Sequence, residues 1–314
     1  MSQSLSIIIA TKDRFDHLRK CVESILGQTV LPDDVVIVDG SSEEDLKERI
    51  DELFANAHTR LLKYIKSRPS LTAQNNLGIK NSSSDLITIL DDDVVLEENY
   101  ICEVKEFFNT IQDKRVGALS TKILDSHNPG ERNRFSVSEF LGRMFLLWHF
   151  GDGRFQNSGI PTLVSPDCKE LTKVEFILGG NATFPRRILE EFAFDENLPM
   201  GFMMSDDDLA YRISRKYQNY WTPKTCVYHR SHYVGSDRYS KSKQLVLTIL
   251  YLRRKNLPPS LKYSIAAWRA IAGKTVTEFL HSVKNRNLSG LKGVVSGLFE
   301  VVVGEPAGNT PAPF

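Results

Sequence analysis

The fold turns on ITILDDDVVLEEN, residues 87–99, where an apolar run stops at Asp91, Asp92 and Asp93 and then resumes. Adjacent carboxylates repel one another, so a fold that gathers three of them must offset the charge with cations. In open parallel sheets, ligands bind beyond the carboxyl ends of the strands. A strand that ends in acids fits that edge, provided that the flanking sequence supplies the rest of such a sheet.

Upstream, LSIIIA (5–10), DVVIVDG (34–40) and RLLKYIK (60–66) read as strands, the first two as β-branched runs of the kind buried on both faces. Between them RFDHLRKCVESILGQ (14–28) places Leu18, Cys21 or Val22, and Ile25 or Leu26 at helical spacing. SEEDLKERIDELFANA (42–57) reads as a charged helix capped by Ser41 or Ser42, and LTAQNNLGIKNS (71–82) as a further helix. Strand and helix alternate from residue 5 to 112, which predicts a parallel α/β sheet with helices on both faces. Asp39 and Asp91 then both follow strands, and Asp91 and Asp93 share a side if the extended geometry persists, with Asp92 opposed.

Past VGALSTKIL (116–124) the pattern weakens. Residues 125–170 hold turn-forming clusters around the aromatic FLGRMFLLWHF, and a long irregular stretch inside a compact domain is often functional. Order returns in KVEFILGGNATF (173–184), PRRILEEFAF (185–194), SDDDLAYRISRKY (205–217) and TCVYHRSHY (225–233). From about residue 240 the chain reads as helical and more basic. The division expected is 1–235 as the catalytic α/β domain, 236–303 as a helical extension and 304–314, rich in Pro and Gly, as a disordered tail.

Of 314 residues, 41% are apolar and 25% charged, and 40 basic side chains nearly cancel 39 acidic ones. That balance argues against a nucleic-acid partner, which would call for a basic excess. Cys21, Cys102, Cys168 and Cys226 are scattered without a CxxC pair, which points to a reducing cytosol rather than a disulfide framework. No signal peptide is read at the start, and no apolar run approaches the roughly 20 residues that span a bilayer.

Hard oxygen donors at Asp91 and Asp93 suit Mg²⁺ or Mn²⁺, which typically keeps waters and also binds substrate phosphates. A second acidic triplet, Asp206, Asp207 and Asp208, opens a predicted helix. There acids cap free N–H groups and complement the dipole, and successive positions turn about 100°, so at most one of the three faces a substrate.

The ordered set SIIIATKDR, ILGQTVLPDDVVIVDGSS, AQNNLGI, ILDDDVV, LGGNATFPRRILEEFAFDE, SDDDLAYRI and VYH resembles the family 2 glycosyltransferases over roughly residues 5 to 232. The resemblance implies a GT-A fold, a mixed and mostly parallel nucleotide-sugar-binding sheet. It also implies inverting transfer from a nucleoside diphosphate sugar to a hydroxyl of a glycan or lipid-linked acceptor. Carried over residue by residue, it places Thr11, Asp13 and Arg14 beside the base and ribose, Thr11 and Arg14 matching the family's P-T-x-N-R pattern while Ala10 and Asp13 depart. Asp39 would accept from the nucleobase. The family's R-N-x-G falls on Asn75, Asn76, Leu77 and Gly78, with Asn75 replacing the arginine and Asn76 kept as a nucleotide-sugar contact. The D-x-D motif maps to Asp91, between ribose and metal, and Asp93, the firmer metal ligand; Asp92 touches sugar or ribose. His229, favoured over His232, completes the metal site, and Arg230 either meets the diphosphate or is solvated.

On the attacking side the family's acidic pair falls on Ser205 and Asp206, when Leu209 and Arg212 match its L-x-x-R. Asp206 is then the base and Asp207 the second choice, with the helix N-terminus expected to keep Asp206 ionised. Gly179, Gly180 and Asn181 are read as acceptor-site floor or as a structural turn, and Trp148 as a sugar-stacking ring or as core. The basic C-terminal helices either lie on an anionic membrane from the cytoplasmic side, pack on the catalytic domain, or make a homo-oligomer. Two rivals remain. A nucleotidyltransferase predicts a Gly-rich phosphate loop after the first strand, and TKDRFDHLRK has no glycine; a non-catalytic sugar-nucleotide or glycan binder needs no Asp206.

Overall fold

The structure is a computed structural model that describes residues 3–42, 45–55, 62–125, 136–165, 167–177, 179–199, 203–229 and 237–303. The first half alternates as the periodicity predicts: β1 (Leu5–Thr11), α1 (Phe15–Leu26), β2 (Asp34–Asp39), α2 (Leu46–Phe54), β3 (Leu62–Lys66), α3 (Leu71–Asn81) and β4 (Leu86–Asp91). β1 pairs in parallel with β2 and β4, and β2 with β3. The strands read as continuous apolar runs because both faces are covered. Leu5, Ile7 and Ile9 join one core cluster with α1, α2 and the later α4 (Tyr100–Thr110); Ile8 joins the opposite cluster. Each such buried side chain stabilises the sheet by roughly 1.5–3 kcal/mol relative to exposure. The predicted serine cap of α2 is not used: the preceding residue is Asp45, and no side chain caps the helix.

The second half departs from pure alternation. β5 (Val94–Leu96) and β6 (Val116–Asp125) follow, then α5 (Val137–Phe145) and the two-residue strands β7 (Phe150–Gly151) and β8 (Leu163–Val164). Next come β9 (Thr172–Val174), β10 (Asn181–Pro185), α6 (Arg186–Glu191), α7 (Ser205–Ser214) and β11 (Gln218–His229). The large sheet runs β3-β2-β1-β4-β10-β6-β11-β5, with β9 paired to β11. β10 inserts antiparallel between β4 and β6, and β5 and β9 pair antiparallel with β11. The sheet is therefore mixed and mostly parallel, with a reversal at its centre that periodicity does not encode. Buried Thr88 and Thr183 mark the junction of β4 and β10 with a 2.8 Å hydroxyl–hydroxyl bond.

Three helices close the described chain: α8 (Arg238–Asn256), α9 (Leu261–Asn285) and α10 (Ser289–Val303). They pack on one another and share an apolar cluster with Leu147, Ile160, Leu198 and Met204 of the α/β part. Among the described residues, no helix is long and apolar enough to cross a membrane. The tail expected at 304–314, together with Arg230 and His232, lies outside the described residues.

Candidate active site

Strand register assembles one edge of the site. Thr11 pairs with Asp39 across β1 and β2, and Ala10 pairs with Asp91 across β1 and β4. The chain then turns through Asp92 and Asp93 into β5, whose Val94 pairs with His229 at the end of β11. Asp91, Asp93 and His229 each bring a ligand atom within 4.8 Å of the others. Two carboxylates and an imidazole at that separation fit a hard or borderline divalent cation.

The cations that offset the triplet inside the protein are Arg14 and His229. The Arg14 guanidinium reaches Asp92 at 3.0 Å and Asp93 at 2.6 Å, and His229 Nε2 lies 3.3 Å from Asp93. Burial works to raise the Asp93 pKa, but His229 and Arg14 outweigh it and hold this carboxyl far below the usual range. The hydrogen bond to Asp93 in turn raises the His229 pKa despite burial. Burial, followed by the charge of Asp93, pushes Asp91 up to about 6 against the pull of His229 and Arg14. Asp92 turns the other way, accepting a 2.8 Å bond from the Thr11 hydroxyl, and burial pushes it up to about 7 against the pull of Arg14. Thr11 and Arg14 thus brace the triplet in this structure.

The second triplet stands behind a pair of glycines. A Cβ at Gly180, whose φ is +78°, would overlap the Asp91 carboxylate, and one at Gly179 would overlap that of Asp206. The two glycines let the backbone run between the two acidic groups, a reason for them that the sequence does not reveal. The helix N-terminus does not keep Asp206 strongly ionised, contrary to expectation. Burial, then the charge of Asp91, pushes it up to about 7, because lost solvation and a like charge outweigh the dipole. Asp207 rises to about 8 through burial and the charges of Asp206 and Asp208.

Asp208 is fully buried and has a different task. It accepts from Arg212 (3.0 and 2.8 Å), Lys255 Nζ (2.8 Å) and Asn256 Nδ2 (2.9 Å), so the last turn of α8 grips the first turn of α7. Lys255 also bonds Asp195. This clamp, like Gln74, which donates to the carbonyls of Thr11 and Val38 behind the strand ends, went unread in the sequence. The acid at helix spacing from Arg212 was the available signal for Asp208; nothing local signalled Lys255.

Several expected contacts are occupied within the protein. Asp39 has no exposed surface and accepts from Ser41 N, Tyr64 Oη and Lys66 Nζ, so a nucleobase would need one of them to give way. Asp13, at φ +53°, bonds Ser41, Ser42 and Lys12, tying the loops after β1 and β2 together. Asn76 spends its carboxamide on Phe194 and Glu196, and Asn181, fully buried, spends its own on Thr121. Trp148 packs against the cluster of the C-terminal helices. Of its two readings, core is the one this packing favours. Asn75 and Ser205, the neutral replacements of charged family positions, are buried. Asn75 Oδ1 and Ser205 Oγ lack a hydrogen-bond partner among the described residues.

Comparison with known proteins gives this edge a lineage. The family model of glycosyl transferase family 2 matches residues 6–192, the span that holds the strand edge and the first triplet. The chain belongs to glycosyl transferase family 2. Glycosyltransferase GlyA of Streptococcus pneumoniae serotype 4 (strain ATCC BAA-334 / TIGR4) is 29% identical over 200 residues, covering 62% of this chain and 26% of that protein. The chain thus spans about a quarter of that relative. Among solved structures, mannosyltransferase PcManGT from Pyrobaculum calidifontis, in complex with GDP-Man and Mn²⁺, aligns over 97% of this chain and 88% of its own. The TM-score is 0.60 and the identity 14%. GalNAc-T7 with UDP, GalNAc and Mn²⁺ aligns over 99% of this chain and 59% of its own, with a TM-score of 0.59 and 16% identity. These likenesses establish that this family 2 chain has the fold of the GT-A glycosyltransferases.

Proposed function

We propose that this family 2 protein is an inverting glycosyltransferase. It would move a sugar from a nucleoside diphosphate donor to a hydroxyl of a glycan or lipid-linked acceptor, with Mn²⁺ or Mg²⁺ held by Asp91, Asp93 and His229. The observation that carries this reading is the convergence of those three residues on one side of Gly179–Gly180, with Asp206 on the other. Asp93, kept ionised by His229 and Arg14, is suited to constant ligation; Asp91 sits between the donor side and the acceptor side. When bound, the cation supplies positive charge to a departing diphosphate.

Asp206 performs the other half. Its carboxylate accepts the proton of the acceptor hydroxyl as that oxygen attacks the anomeric carbon opposite the diphosphate. A pKa near 7 suits that task, because the group is substantially deprotonated at neutral pH and still basic enough to take a proton. Asp207 remains the alternative base, and Asp208, locked by Arg212, Lys255 and Asn256, holds the helix that presents both. Arg14 steadies Asp92 and Asp93 beside the donor site.

The direct experiment is a panel of nucleoside diphosphate sugars, incubated with Mn²⁺, Mg²⁺ or chelator, and assayed for slow release of the nucleoside diphosphate. Metal-dependent release from at least one donor is expected. Equal release in chelator, retained by Asp93→Ala, would refute the metal-assisted reading.

A further inference from the structure

Helix α9 is apolar on two opposite faces. Ala266, Ala267, Ala270 and Ile271 are buried toward the other helices. On the far side Leu261, Ile265, Trp268, Phe279 and Val283 are exposed by 75, 58, 50, 54 and 66%. At 100° per residue these five fall within about 60° of one another, and at 1.5 Å per residue they run for roughly 33 Å. A globular helix normally turns a polar face to water. Arg269 Nε bonds the Met144 carbonyl, which joins this stripe to α5, where Val137, Phe140 and Met144 are also exposed at i, i+3 and i+7.

The charge around the stripe selects its occupant. Residues 237–303 carry twelve Lys and Arg against three acids, in a chain whose total charge is +1. All three acids are engaged: Asp237 caps α8, buried Glu278 holds Arg238 and Lys274, and Glu300 pairs with Lys243. Lys262 and Arg269 are exposed on one shoulder of the stripe, with Lys284 and Arg286 exposed at its end. A second copy meeting this face through a two-fold axis would set those cations against their own images, with every acid of residues 237–303 already engaged within its own chain. An anionic, apolar-cored surface satisfies both features at once.

We propose that the outer face of α9 docks on an anionic lipid bilayer. Leu261, Ile265, Trp268, Phe279 and Val283 seat at the acyl boundary, and Lys262, Arg269, Lys284 and Arg286 lie among the headgroup phosphates. The docking is independent of the transfer chemistry assigned above and is read without any substrate.

The test is sedimentation of the whole protein with vesicles of phosphatidylcholine, with and without about 30% phosphatidylglycerol, at about 0.15 M salt. Binding to the anionic vesicles alone, weakened by added salt, is expected. The double variant Ile265→Glu/Phe279→Glu should weaken partitioning by about tenfold or more with an unchanged melting temperature. Because that variant could lose structure, the unmodified protein is also read with bromine-labelled acyl chains. These should quench a fluorescence component that is absent from Trp268→Phe. No vesicle binding, equal binding to phosphatidylcholine, or no quenching at Trp268 would overturn the proposal. So would a dimer, seen by light scattering, that the same double variant breaks apart.

Discussion

The two acidic triplets, Asp91–Asp93 and Asp206–Asp208, have the same composition and opposite architecture. The first leaves β4 through a turn: Asp91 and Asp93 converge with His229, Asp92 accepts from Thr11, and Arg14 bridges Asp92 and Asp93. The second enters a helix, where Asp206 faces Gly179 and Asp208 is buried against Arg212, Lys255 and Asn256. In the second triplet Asp208 is an anchor gripped by α7 and α8, whereas in the first Arg14 ties two carboxylates at once. A further contrast follows from the partners. Basic groups lie against the first triplet and hold Asp93 low, whereas burial and the charge of Asp91 raise Asp206, and burial and the charges of Asp206 and Asp208 raise Asp207.

That comparison can be broken at several points. The largest effect is expected from Asp206→Asn, which should lower kcat for transfer by about a hundred- to ten-thousand-fold while leaving donor KM nearly unchanged. A proportional rise in donor KM would instead put Asp206 on the donor side. Asp208→Ala should lower stability by about 3 kcal/mol, read in denaturant unfolding, because Arg212 and Lys255 lose their shared buried partner. A change within about 0.5 kcal/mol, the size usual for a surface site, would show that the grip of α8 on α7 is incidental.

The smallest effect is electrostatic. The folded-state pKa of Asp207, about 8, lies above the unfolded value near 3.8. Its favourable contribution is therefore complete below about pH 4 and is lost as pH rises through 8. Asp207→Asn should then raise the melting temperature by a few degrees near pH 8 and by little near pH 4. A gain of the same size at both pH values would remove burial and like charge as the cause.

Much of this was legible in the sequence, for reasons that particular residues make clear. LSIIIA, DVVIVD and LITIL announce buried parallel strands because helices cover both faces of each, so the sequence sets Asp39 and Asp91 on one edge. Asp91, Asp93 and His229, which the resemblance implies as a metal site, come together in space. The antiparallel entry of β10 did not show, because an apolar run carries no record of its partner's direction. Asn76, expected as a nucleotide-sugar contact, and Asn181, read as acceptor-site floor or structural turn, bond groups 118 and 60 residues away that local sequence does not reveal. The rise of Asp206 does not show in the sequence either: the helix terminus is local, while burial, and then the charge of Asp91 across the glycine pair, come from the tertiary fold.

The most direct test separates the triplets in one titration. Mn²⁺ binding in the presence of a nucleoside diphosphate, followed by electron paramagnetic resonance, is compared among the native protein, Asp93→Ala and Asp206→Asn. Asp93→Ala should lose Mn²⁺ binding and transfer together, whereas Asp206→Asn should bind Mn²⁺ as the native protein does and fail only in transfer. Native-like Mn²⁺ binding and full transfer by Asp93→Ala would contradict the division of labour between the two triplets.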